Sequence, residues 1–243
     1  MVAALTFDLW DTLVIDDSDE SRRAAFGLPS KSAARTQLVL DALRAHGVSE
    51  LAAVAAEASA SAWCQHRWKN EAVTPTLLER LEHIYRHAGV SSRKGLPALH
   101  EAFATMEVVQ APEPAPGVHA ALDVLSRRHP LGIVSDAVVT PGLQLRRILQ
   151  DVGLLHYFTV TVFSDEAGHS KPAPEVFHRA AAGLGVPVEG LVHVGDRSDK
   201  DIAGAEGVGA RGVLYTGCKD RGHDAVLRIA HLNELPALIE TLS

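Results

Sequence analysis

VAALTFDLWDTLV, residues 2–14, opens the chain almost at once with a hydrophobic run that breaks at a carboxylate. Residues 2–9 are apolar apart from Thr6 and Asp8, and polar residues follow directly. So short an apolar run does not make a stable helix, and the lack of alternation suits a strand covered on both faces, which belongs in a parallel sheet. Three further runs look alike, at residues 131–134, 191–194 and 212–215, and another strand is expected over 158–163. Between them, helical periodicity runs through 118–128, 143–152, 174–184 and 199–207. Strands alternating with helices of this length imply βαβ crossovers, so the expected fold is α/β, a doubly wound parallel sheet.

Residues 16–111 read differently. Helical patterns cover 34–46, 51–65, 76–87 and 99–106, with no convincing strand. The entry is acidic (Asp16, Asp17, Asp19, Glu20), and the exit, Ala-Pro-Glu-Pro-Ala-Pro-Gly at 111–117, is proline-rich as a connector should be. The expected division is a core of 1–15 plus 112–243 and an inserted all-helical cap over 16–111. No internal repeat or low-complexity tract interrupts it.

Composition bounds the partners. Of 243 residues, 47% are hydrophobic and 22% charged, which is enough apolar material for a packed core. No apolar run approaches the roughly 18 residues of a membrane helix, and no basic segment precedes the first hydrophobic run. A soluble, cytoplasmic chain with no membrane partner is expected. Thirty acidic against 23 basic side chains leave a net charge of −7, and there is no Lys/Arg block to neutralise phosphates, so nucleic acid is an unpromising partner and a small molecule a better one. Cys64 and Cys218 are too far apart for a CxxC motif and are read as structural. Oligomeric state leaves no trace in the sequence.

In an open parallel sheet, ligands bind beyond the carboxyl ends of the strands. Asp8, Ser135 and Asp196 follow the first, second and fourth strands, and Lys171 lies in the loop after the third. Any one is an ordinary loop residue; their convergence is the functional signal. The segments carrying them, FDLWDTLV (7–14), IVSDA (133–137), SKPAPEVF (170–177) and VGDRSDKDIAGAEGVGA (194–210), resemble in order the four motifs of the haloacid dehalogenase-like hydrolase superfamily. The insert after the first motif resembles a cap of the C1 type, so the similarity covers the whole chain. By contrast, Gly207 to Gly212 matches GxGxxG only in letters, because it follows a helix and precedes a strand, the reverse of a dinucleotide site.

The resemblance implies a Rossmann-like core and a hydrolase, usually a magnesium-dependent phosphatase, with Asp8 as the nucleophile that forms an aspartyl intermediate. It further implies Mg²⁺ held by Asp8, the backbone carbonyl of Trp10, Asp196 and Asp201. Lys171, Ser135 and the N–H of Asp136 are then expected to bind phosphate, with Thr12 supporting the first loop. Charge agrees: Asp8, Asp196 and Asp201 with a phosphate dianion would repel one another strongly without cations. A hard divalent ion that prefers oxygen ligands, together with the Lys171 ammonium, answers that need.

One departure matters. The first motif of the phosphatases is DxDxT, and here it reads Asp8-Leu9-Trp10-Asp11-Thr12. Trp10 cannot protonate a leaving alkoxide, and general acid–base catalysis supplies roughly 10² to 10⁴ in rate. Asp11 replaces the missing acid only if the backbone turns at once, since successive side chains of an extended segment face opposite ways. The insert could lend His66, Arg67 or Lys69, or the substrate could carry a leaving group that needs no proton. A halide is such a group, so a 2-haloacid dehalogenase remains open, although Asp196 would repel its anionic substrate and product. A phospho-ligand-binding chain with little turnover is the third reading. Trp63 and Trp68 are read as insert core or pocket wall, and Asp199 as a helix cap.

Overall fold

The structure is a computed structural model describing residues 2–221 and 227–242. Six parallel strands form one sheet in the order β3-β2-β1-β4-β5-β6. They are β1 (Ala4–Phe7), β2 (Leu131–Ser135), β3 (Val160–Phe163), β4 (Leu191–Gly195), β5 (Arg211–Tyr215) and the short β6 (Arg228–Ile229). β1 is buried along its whole length, which is why its sequence shows no alternation. Leu5 and Phe7 join one apolar cluster with α6 (Val118–Ser126), α7 (Gly142–Asp151) and α11 (Leu235–Leu242), whereas Ala4 joins another with α9 (Pro174–Leu184) and α10 (Ala203–Gly207). Helices therefore cover both faces, as expected for a Rossmann-like α/β fold. β6 and α11, near the end of the chain, were not anticipated.

β1 pairs with β2 on one side and β4 on the other, with Phe7 opposite both Ile133 and Val194. The chain winds away in both directions from this point, which opens a crevice at the carboxyl ends of these strands. Asp8, Ser135 and Asp196 are thereby brought to one edge.

Residues between β1 and α6 form five helices: α1 (Glu20–Ala25), α2 (Lys31–Arg44), α3 (Glu50–Asn70), α4 (Leu77–His87) and α5 (Leu96–Val109). They have an apolar centre of their own. α4 buries Leu77, Leu81, Ile84 and Tyr85 on one stripe and starts with a capping box between Thr76 and Glu79. α3 offers the small side chains Ala53, Ala56, Ala60 and Cys64, which lets neighbouring helices approach closely. This helix extends to Asn70, five residues beyond the stretch its periodicity marks, because no glycine or proline stops it. That last turn carries Trp68 to the crevice. α8 (Ser164–Ala167) is a single turn after β3, and no helix among the described residues is long and apolar enough to cross a membrane.

Candidate active site

Asp8 leaves β1 with its N–H bonded to Val194 O at 2.8 Å, which fixes its position against β4. Its Oδ1 lies 2.5 Å from Lys171 Nζ, and the same ammonium lies 2.5 Å from Asp201 Oδ1. All three side chains are buried. Asp201 also accepts from Arg197 N at 2.9 Å and pairs with His193 Nε2 at 3.1 Å. Its Oδ1 is thus shared by a lysine and a histidine, and its Oδ2 by a backbone amide. Asp201 packs so closely on the end of β4 that a Cβ at Gly195 would collide with its carboxylate.

His193 sits inside β4 with no exposed surface, and its Nδ1 meets Thr6 Oγ1 at 2.9 Å. Burial pushes its pKa down despite the neighbouring Asp201, so the ring is held neutral. The carboxylate then receives Nε2–H while Nδ1 accepts from the threonine hydroxyl. Lys171 is pushed the other way: burial opposes its charge, yet Asp201 and Asp8 more than offset this and raise its pKa. Asp201 is held well below the ordinary carboxylate range by Lys171 and His193, although burial works against that.

Asp8, Asp196 and Asp201 each offer an oxygen within 4.8 Å of the others. Burial pushes the Asp8 pKa up to about 7, with Asp201 and Asp196 adding to the rise and Lys171 opposing it. Asp196 rises to about 6 through burial and the charge of Asp201, with Arg221 opposing. Two carboxylates this reluctant to ionise mark a site short of positive charge. Three hard oxygen donors around one point, with charge left to neutralise, fit a Mg²⁺ ion.

Ser135, at the end of β2, is buried, and its hydroxyl has no hydrogen-bond partner among the described residues; the same holds for Thr12 Oγ1. Asp136 bridges two elements instead: Oδ1 accepts from Lys171 N at 3.0 Å and Oδ2 from Trp68 Nε1 at 2.6 Å. Lys200 Nζ donates to Trp68 O at 3.0 Å and lies 4.6 Å from the centre of its ring. Trp68 therefore ties α3 to the strand ends, and with Trp10, Lys31, Glu107 and Lys200 it lines a cavity of about 320 Å³ that opens onto Asp8. Across this cavity Glu107 of α5 accepts from Thr140 and pairs with Lys31 at 3.4 Å and Arg35 at 3.1 Å.

The backbone does turn at once after Trp10. Asp11 has a φ of 54°, in the left-handed region, and its carboxylate lines the same cavity. It is fully engaged there. Oδ1 accepts from Asp16 N at 3.1 Å, while Oδ2 takes Arg221 Nη2 at 2.7 Å and Lys219 Nζ at 2.9 Å. His66 and Arg67 turn to Glu71 instead, and neither they nor Lys69 reach the cavity. Trp63 stacks on His83 within the insert. Asp199 pairs with Arg197 at 3.2 Å and caps no helix. Gly207 ends α10 and Gly212 lies in β5, so GxGxxG spans a helix-to-strand turn.

His193, Arg221, Lys219, Lys200, Lys31 and Glu107 were absent from the expected site. His193 hides in an apolar run and reads as core, and the others are single charged residues with no local pattern. Only the spacing of Lys31 and Arg35, one helical turn apart on α2, gave a hint.

A model of the haloacid dehalogenase-like hydrolase family matches residues 2–209. Among curated proteins, 73 residues, 29% of this chain, are 47% identical to the glyceraldehyde 3-phosphate phosphatase of Methanopyrus kandleri, a match spanning 31% of that relative. A phosphatase of the same superfamily from Thermococcus onnurineus superposes with a TM-score of 0.66 at 23% identity over 98% of each chain. A 2-haloacid dehalogenase from Pseudomonas syringae does so with a TM-score of 0.64 at 23% identity over 100% of each. Such likenesses establish the fold and leave the two reactions unseparated. The family match runs from β1 through α10 and so includes the carboxyl ends of β1, β2, β3 and β4: the chain belongs to the haloacid dehalogenase-like hydrolase family.

Proposed function

We propose that the chain is a magnesium-dependent phosphatase that acts through Asp8 on a small phosphorylated metabolite. The observation that carries this reading is Asp8 itself, buried, salt-bridged to Lys171 at 2.5 Å, and grouped with Asp196 and Asp201. The phosphatase name of the Methanopyrus kandleri relative supports it. A bound Mg²⁺, held by Asp8, Asp196 and the Trp10 carbonyl with Asp201 beside them, would offset the negative charge of nucleophile and phosphate.

In this reading the Asp8 carboxylate attacks phosphorus, the bond to the leaving oxygen breaks with its electron pair, and an aspartyl phosphate remains for water to cleave. Lys171 holds the attacking carboxylate and neutralises charge on the phosphoryl group, while the Ser135 hydroxyl and Asp136 N–H donate to its oxygens. Thr12 supports the first loop. Trp10 donates no proton and Asp11 is occupied by two cations, so substrates whose leaving group needs no proton, such as acyl or aryl phosphates, are favoured. The insert over 16–111 serves as a cap on a core of 1–15 and 112–243, and Trp68 ties the two together. The test is hydrolysis of an aryl phosphate with and without a chelator. Chelation should stop turnover, and Asp8→Asn should lower it by at least about 10⁴-fold; metal-independent turnover would contradict the proposal.

Trp10 favours a second reading, 2-haloacid dehalogenation, because halide departure needs no acid. Halide release from a panel of 2-haloacids would support it. If phosphate binds but no panel yields turnover, the chain is a phospho-ligand binder that has lost its acid.

A further inference from the structure

The carboxylate cluster is balanced by two cations of different standing. Lys171 reaches Asp8 and Asp201 from within, and its side chain is 4% exposed. Arg221 approaches from the solvent side. Its Nη1 donates to Asp196 Oδ2 and its Nη2 to Asp11 Oδ2 at 2.7 Å, while the side chain stays 31% exposed. A backbone bridge between Arg221 and Arg197 holds this arm over the end of β4. Lys219 adds a charge on Asp11 at 2.9 Å.

The geometry points to Arg221 as an internal competitor for the metal carboxylate: it rests on Asp196, yields that residue to a divalent cation, and stays tethered by Asp11. This inference rests on the metal reading proposed above. A guanidinium has five donors and no acceptor, so it cannot itself ligate the ion, and a cation that takes the Asp196 oxygen it covers must displace it. The charges favour exchange. With all four carboxylates ionised, as a bound divalent ion would hold them, Asp8, Asp11, Asp196 and Asp201 outnumber Lys171, Lys219 and Arg221 by one charge. A divalent ion added beside an unmoved Arg221 makes the site +1, with two like-charged groups on one carboxylate. With Arg221 withdrawn the site is neutral. Lys171 has no comparable exit because it is enclosed. Asp11, fully buried yet too engaged to act as an acid, gains a role as the second anchor of this arm.

Titration of the full-length chain with Mn²⁺, read from the electron paramagnetic resonance of the free ion, tests the inference. Arg221→Ala should bind Mn²⁺ about tenfold more tightly than the unaltered chain, the scale of one lost charge-assisted hydrogen bond. Lys219→Ala removes the same unit of charge but leaves Asp196 covered, and should change the constant by less than about threefold. Arg221→Lys keeps the charge but cannot span both carboxylates, and should fall between; it carries the test if Arg221→Ala does not fold. Unchanged or weaker binding in the Arg221 variants, or an equal gain in Lys219→Ala, overturns the inference and leaves the metal site standing. Absence of saturable binding in every protein removes the metal site and the inference together.

Discussion

Two halves of one crevice use the same chemistry and differ in enclosure. On one side Thr6, His193, Asp201, Lys171 and Asp8 form a continuous chain of contacts in which every side chain is buried. On the other, Asp11 and Asp196 are equally buried, but their cations, Lys219 and Arg221, come from the loop after β5 and are 40% and 31% exposed. Enclosure decides what a charge pair is worth. Removing one partner of a buried pair strands the other in a poor solvent, whereas an exposed partner is replaced by water. On the proposed reading, the enclosed half holds the nucleophile Asp8 in place and the open half permits exchange.

The comparison can be broken by substitution. Lys171→Met should have the largest effect, a loss of about 3–5 kcal/mol at neutral pH in urea unfolding, since Asp8 and Asp201 lose their shared cation. His193→Ala comes next, at about 1–3 kcal/mol, because Thr6 and Asp201 lose a buried partner. A pH series in chelator should follow with a smaller shift. The folded Asp8 pKa, about 7, lies above its ordinary 3.8, so the folded chain holds this proton more tightly than the unfolded one. That contribution is complete below 3.8 and is lost as pH rises through 7. The melting midpoint should therefore fall by a few degrees between pH 5 and 8, and Asp8→Asn should flatten that fall. Arg221→Ala should cost least, about 1 kcal/mol without metal, because water reaches the buried Asp196 through the opening that the partly exposed guanidinium leaves. A loss as large as that of Lys171→Met would erase the distinction between the halves.

Much of this was legible in the chain, for a definite reason. A strand covered on both faces must be apolar throughout, so β1, β2, β4 and β5 announce themselves, and with parallel strands their carboxyl ends share one edge. Asp8, Ser135 and Asp196 could be grouped on that basis. Asp11 was harder, because alternation along an extended segment aims it away from Asp8, and only the left-handed turn at its own backbone brings it round.

The linear order of residues thus determined the layered fold, the helical insert and the strand-end carboxylates, all of which follow from hydrophobic period and local punctuation. Tertiary structure alone decided which polar side chains meet. His193 finds Asp201 across eight residues, Arg221 finds Asp11 across 210, and Trp68 finds Asp136 across 68. Such pairings depend on strand order and on where a helix happens to end, and no short-range pattern encodes either.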